Sequence, residues 1–213
     1  MWNFIANWFV KITGWLAYLI IFRPKTYFEN RKIQGRKIKK SAIVVSNHNS
    51  LYDFAMMLFL FPFRTLRCVV AELMFEKNAF MTFFLKATGA IKVDRNSHDF
   101  AFIDKSREIL EKGGVVEIYP ESRLPNEGEE TPLPFKPSTV YIALTSGAPI
   151  IPIYCNGKYF CKERLVSIVG TPFYASDYYD DNLTEDENVK NITEILRNRI
   201  LELKDELKKQ ENK

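Results

Sequence analysis

The sequence predicts an α/β fold: a mainly parallel sheet flanked by helices, with an amphipathic helix at the N-terminus. Three observations predict it. Short apolar runs such as S-A-I-V-V-S (41–46) lack polar alternation, as suits a strand covered on both faces. Segments with helical spacing lie between them, and several stop at glycine: Gly89, Gly113 with Gly114, and Gly147. Strand and helix alternate, the order from which parallel sheets are built. A chain of 213 residues suffices for one domain with a sizeable core, and 46% hydrophobic residues argue against intrinsic disorder.

Residues 1–22 form the first element. Trp2, Ile5, Trp8, Phe9, Ile12, Trp15, Leu16, Leu19 and Ile20 share one helical face, and Asn3, Asn7, Lys11, Gly14 and Tyr18 form a narrow strip opposite. All three tryptophans lie here, and Trp favours the boundary between membrane and water. The run from Phe4 to Phe22 is near spanning length. Lys11 at its centre would cost about 2.5–3.5 kcal/mol there. A helix lying in the interface keeps that ammonium in water and is the expected arrangement; packing on the protein's own core is the alternative. No basic n-region or small-residue cleavage site marks a signal peptide. Residues 23–40 carry eight basic residues and one acid, Glu29. They read as a basic juxtamembrane linker that attracts anionic lipid, at about 1 kcal/mol per charge, and that places the following domain on the cytoplasmic face.

The domain proper is expected over 41–213. Strands are predicted at 41–46, 66–71, 90–94, 115–119, 149–154 and 165–169, and helices at 51–61, 76–88, 98–112 and 137–146. The loop from Ser122 to Pro137, with four prolines, is expected to be exposed. Val189, Ile192, Leu196, Ile200, Leu203 and Leu207 then form one stripe of an amphipathic C-terminal helix, about 184–209.

Few groups are equipped for chemistry. Cys68, Cys155 and Cys161 show no metal-like spacing and read as reduced thiols, and His48 and His98 are the two imidazoles. No phosphate loop, zinc spacing or nucleic-acid motif appears, and a net charge of +4 is too mild to argue for nucleic acid. The sharpest feature is N-H-N-S-L-Y-D, Asn47 to Asp53. His48 lies one residue beyond a strand's carboxyl end, where open α/β sheets bind ligands. Across a turn into the next helix, Asp53 can reach one ring nitrogen. It would fix the tautomer and leave the other nitrogen to take a proton. That is base-plus-orienter logic without a protein nucleophile, so the attacking hydroxyl comes from a substrate.

This block resembles the N-H-x-x-x-x-D block of the phospholipid/glycerol acyltransferase family, whose best-known members are 1-acylglycerol-3-phosphate acyltransferases. G-A-I-K-V-D-R (89–95), Y-P-E-S-R (119–123), F-K-P-S (135–138) and A-P-I-I-P-I (148–153) resemble the family's later blocks, in order. The resemblance covers roughly residues 30–170. It implies that His48 is the general base and Asp53 its orienter, and that Asn47, Arg95, Glu121 and Arg123 bind substrate. Arginine suits a phosphate, being planar, permanently charged and bidentate. Glu121 would repel one, and so is expected to accept from a hydroxyl or orient an arginine. The alternative for Arg95 and Arg123 is ion pairing with acids of the 126–130 loop. Two departures stand out: Ser122 and Ser138 occupy places usually held by glycine, and the third block is one residue short.

The resemblance further implies an acyltransferase in which His48 deprotonates a hydroxyl of a lysophospholipid or glycerol phosphate, which attacks the thioester of acyl-CoA or acyl-carrier protein. The expected product from 1-acylglycerol-3-phosphate is phosphatidic acid. No metal or tightly bound cofactor is required, and backbone amides of the Asn47–Ser50 turn are candidates for the oxyanion site. The rival readings are a phospholipid transacylase and a catalytically silent lipid-binding or tethering protein of the same fold.

Overall fold

The computed structural model describes residues 2–94 and 100–211, with side chains from Ile5 onward. Helix α1 (Trp2–Phe22) leads into strand β1 (Lys25–Phe28). There follow β2 (Ala42–Ser46), α2 (Asp53–Leu60), β3 (Leu66–Ala71), α3 (Glu72–Glu76), α4 (Ala79–Thr88), β4 (Ile91–Val93), α5 (Ala101–Glu111), β5 (Val115–Ile118), α6 (Ser138–Ser146), β6 (Ile150–Cys155), β7 (Val166–Val169) and α7 (Glu185–Glu211). The strands form one sheet in the order β1-β7-β6-β2-β5-β3-β4. All neighbours are parallel except β6 and β7. The predicted α/β class is therefore the observed one.

The apolar runs have the expected cause. Ile43 and Val45 face one core, with Val140, Ile192 and Leu196 of α6 and α7. Ala42 and Val44 face the other, with Tyr18, Met57 and Phe59 of α1 and α2. Alternate residues of one strand thus enter two different cores, and neither face leaves room for a polar side chain. β2 lies at the centre, paired with β5 on one side and β6 on the other.

Three elements depart from the sequence reading. The expected helix 76–88 breaks at Asn78, which turns extended (φ −167°) and accepts from the Met81 N–H as the N-cap of α4. The basic segment 23–40 is not wholly irregular, because Lys25–Phe28 pairs with β7 as the edge strand. The loop after Ser122 is only partly exposed. Leu133 and Phe135 are buried, and Arg197 and Lys204 of α7 donate to the carbonyls of Pro132 and Thr131. Helix α7 begins with a capping box, Thr184 and Glu187 exchanging side-chain to backbone bonds, and it buries the predicted stripe from Val189 to Leu207.

Helix α1 corrects one expectation, that Lys11 stays in water. Its polar strip, with Trp15 at the border, meets the domain. Asn7 donates to the Thr88 carbonyl at the end of α4. Gly14 lets α1 approach α2 so closely that an added Cβ would lie 2.9 Å from Phe59, and Tyr18 stacks on that ring at 4.5 Å. Lys11 is not in water. It is 5% exposed, and its ammonium donates to the carbonyls of Phe61, Pro62 and Arg64, just past α2. These carbonyls lie just past the negative dipole end of α2, where a cation is favoured. The opposite face, with Phe9, Ile12, Leu16 and Ile20, is exposed.

Lys11→Met keeps the aliphatic stem but takes this donor from the Pro62 and Arg64 carbonyls, while Phe61 keeps the Arg64 N–H. The expected loss is about 2–3 kcal/mol of stability, read from the chemical denaturation midpoint of the full chain.

Candidate active site

The site forms where three parallel strands end. Asn47 and His48 follow β2, Glu121 lies three residues beyond β5, and Cys155 ends β6. Asn47 is fully buried. Its amide donates to the Cys155 carbonyl (2.9 Å) and accepts from the Cys155 N–H (2.8 Å). It therefore locks the end of β2 to the end of β6, with no amide group turned to a ligand. Glu121, 3% exposed, accepts from the backbone N–H of His48 and of Leu133, each at 2.7 Å. It fixes the main chain of His48 and ties the following loop to the site. Burial raises its pKa, while the two amide bonds oppose the rise.

His48 Nδ1 lies 2.9 Å from Asp53 Oδ2. The same oxygen accepts from the backbone N–H of Asn49 (2.7 Å) and of Ser50 (2.9 Å). Asp53 is the first residue of α2 and is fully buried. Its charge thus closes the turn, serves the helix N-terminus and orients the ring in one act. A carboxylate only accepts, so Nδ1 carries the proton and Nε2 is left basic. The ring is 17% exposed and stacks on Tyr119 at 4.5 Å and 27°. An imidazole so held can take a proton from a bound hydroxyl. The backbone amides of residues 48–50 are not open to an oxyanion, since Glu121 and Asp53 occupy them.

A sequence model described as Acyltransferase matches residues 23–156, more than half the chain. The chain belongs to the acyltransferase family. The 1-acyl-sn-glycerol-3-phosphate acyltransferase of Haemophilus influenzae is 27% identical over 221 residues, spanning 96% of this chain and 84% of that protein. The enzyme of that name from Limnanthes douglasii is 32% identical over 62% of the chain, and the human beta form 26% over 68%. The chain spans about half the length of these last two. The crystal structure of the 1-acyl-sn-glycerophosphate (LPA) acyltransferase PlsC from Thermotoga maritima superposes with a TM-score of 0.66. It covers 93% of this chain and 79% of that one at 20% identity, and so shares the fold.

Arg123 is exposed and pairs bidentately with Glu129 (2.6 and 2.8 Å), the ion pairing that stood as its alternative. That contact holds the Glu129 carboxyl down at about 2. Ser122 adopts a left-handed φ of 57°, where glycine is at ease, whereas Ser138 sits in the first turn of α6 and needs no such freedom. Arg95 and His98 lie outside the described residues. Two tyrosines were not singled out from sequence: Tyr119, beneath the imidazole, and Tyr159, whose hydroxyl donates to Asp53 Oδ1 at 2.7 Å.

Beneath the dyad lies Glu117 of β5, fully buried and hydrogen-bonded by the Tyr119 hydroxyl. Burial is the chief cause that pushes its carboxyl up to about 8, and the nearby Asp53 charge adds to it. The unfolded chain releases this proton near 4.5. Between those values the folded state binds more protons, so stability falls as pH rises and the loss ends near pH 8. Glu117→Gln is expected to flatten the fall in melting temperature between about pH 5 and about pH 8, read from parallel thermal melts.

Proposed function

We propose that this acyltransferase moves a fatty acyl group from a thioester donor, acyl-CoA or acyl-carrier protein, to the free hydroxyl of 1-acylglycerol-3-phosphate, giving phosphatidic acid. The bond from His48 Nδ1 to a fully buried Asp53 carries the reading. His48 Nε2 removes the hydroxyl proton as oxygen attacks the thioester carbonyl, and Asp53 stabilises the imidazolium that forms. The tetrahedral intermediate expels the thiolate, which takes the proton back from His48. The product is an ester and a free thiol. Relatives named for this reaction, one of them matched over 84% of its length, support the acceptor.

Arg95 and Arg123 are the proposed phosphate ligands, with Arg123 exchanging Glu129 for the acceptor. Asn47 and Glu121 serve as the frame that holds His48. The enzyme works at a membrane, with its domain on the cytoplasmic face. The exposed apolar face of α1, the exposed Phe80 and Phe83 of the adjoining α4, and the basic residues after α1 support a seat in anionic lipid.

The test presents 1-acylglycerol-3-phosphate and glycerol 3-phosphate in anionic vesicles with a labelled acyl-CoA, an acyl-carrier protein, or phospholipid as sole donor. Lipid mass spectrometry should find labelled phosphatidic acid from a thioester, and His48→Ala should lower the rate by about 10²–10⁴-fold. Transfer from phospholipid alone would favour the transacylase. Unchanged transfer by His48→Ala would remove the base.

A further inference from the structure

We propose that Tyr159 is a positioning residue for Asp53, and that the C-terminal end of α1 sets its hold on that carboxylate. The inference rests on reading His48 as the base. The two oxygens of Asp53 are served unequally. Oδ2 receives the imidazole and two backbone amides, whereas the bond to Oδ1 comes from the Tyr159 hydroxyl, 106 positions along the chain. A fully buried carboxylate oxygen left without a donor is costly, so this bond bears on how the whole group sits. Burial first, then Cys155 and Asp53, keep the hydroxyl protonated and able to donate.

The loop carrying Tyr159 is seated from two sides. Gly157, at a φ of 68°, lies so close to the His48–Asn49 turn that an added Cβ would come within 2.6 Å of Asn49 Cβ. On the other side stands Phe22, the last residue of α1. Its ring meets Tyr159 edge-on, with centroids 5.4 Å apart at 90°, and meets Phe160 at 4.9 Å. The Phe22 carbonyl also accepts from the Leu165 N–H, where the loop returns to β7. The contact path runs from α1 through Phe22 and Tyr159 to Asp53 and His48. Where α1 sits on the domain therefore bears on how the base is aimed.

Loss of the Tyr159 hydroxyl concentrates charge on Oδ2. The imidazolium gains a stronger partner, and His48 must release its proton at higher pH before it can act. The other titratable groups that act on Asp53 are Cys68, Glu117, Tyr119, Glu121 and Cys155; of these Tyr159→Phe touches the Cys155 thiol, which loses a 3.7 Å contact with the hydroxyl and which burial keeps protonated. A ring that merely fills space would leave the titration where it was.

The experiment uses the full chain in anionic vesicles. Tyr159→Phe should lower kcat about tenfold, leave KM within about twofold, and move the acid limb of the pH–rate profile upward. NMR in a His98→Gln background follows His48 without relying on turnover, and its titration should move upward as well. Phe22→Leu keeps apolar volume but removes the edge contact. It should shift the titration the same way, and adding Tyr159→Phe to it should shift little more. An unmoved His48 titration in Tyr159→Phe overturns the positioning role, and fully additive shifts overturn the link to α1. Absence of acyl transfer by the unaltered chain would defeat the reading of the reaction, while the NMR titration would still decide the role of Tyr159.

Discussion

The structure turns on one buried carboxylate. Asp53 gathers four donors: the His48 ring, two backbone amides of the turn and the Tyr159 hydroxyl. Each would leave it costly to bury if withdrawn, because an anion out of water must be met by hydrogen bonds on every side. The turn after β2, the start of α2, the direction of the imidazole and the path of the loop after β6 are thus solved together. The strand ends supply the frame for that solution. Asn47 fastens β2 to β6, and Glu121 brings the loop after β5 to the backbone of His48.

Helix α1 shows how the environment beyond a domain can reverse a familiar pattern. An amphipathic helix normally turns its apolar stripe inward. Here Asn7, Lys11, Gly14 and Tyr18 face inward, because the domain offers carbonyls at the C-terminal ends of α2 and α4 and a ring that only glycine lets approach. The apolar side is left facing out, next to the basic segment. Lys11 is thereby both the residue that weighs against a spanning helix and the contact that fastens α1 to the domain.

Much of this was legible in the sequence, for a physical reason. Strands buried on both faces are largely apolar, so β2 and β6 stood out; β1 did not, since K-T-Y-F is an edge strand inside a basic run. Helix spacing gave the two faces of α1 correctly but could not tell which one meets the domain, as that depends on carbonyls more than fifty residues away. The His48–Asp53 pair was readable because both partners lie within one turn. Tyr159 was not, because contacts across 106 positions leave no local periodicity. The roles expected of Asn47 and Glu121 differed for a related reason: short motifs mark which residues gather at a site but not which atoms remain free once the strands have closed.

The claim that His48 and Asp53 act as one unit is tested most directly by a double-variant cycle on the rate of acyl transfer with His48→Ala, Asp53→Asn and both together. Groups that work as a unit lose their function once, so the double variant should be within about threefold of His48→Ala alone. Losses that multiply would mean that the carboxylate acts independently of the imidazole, and the account of the site would be wrong.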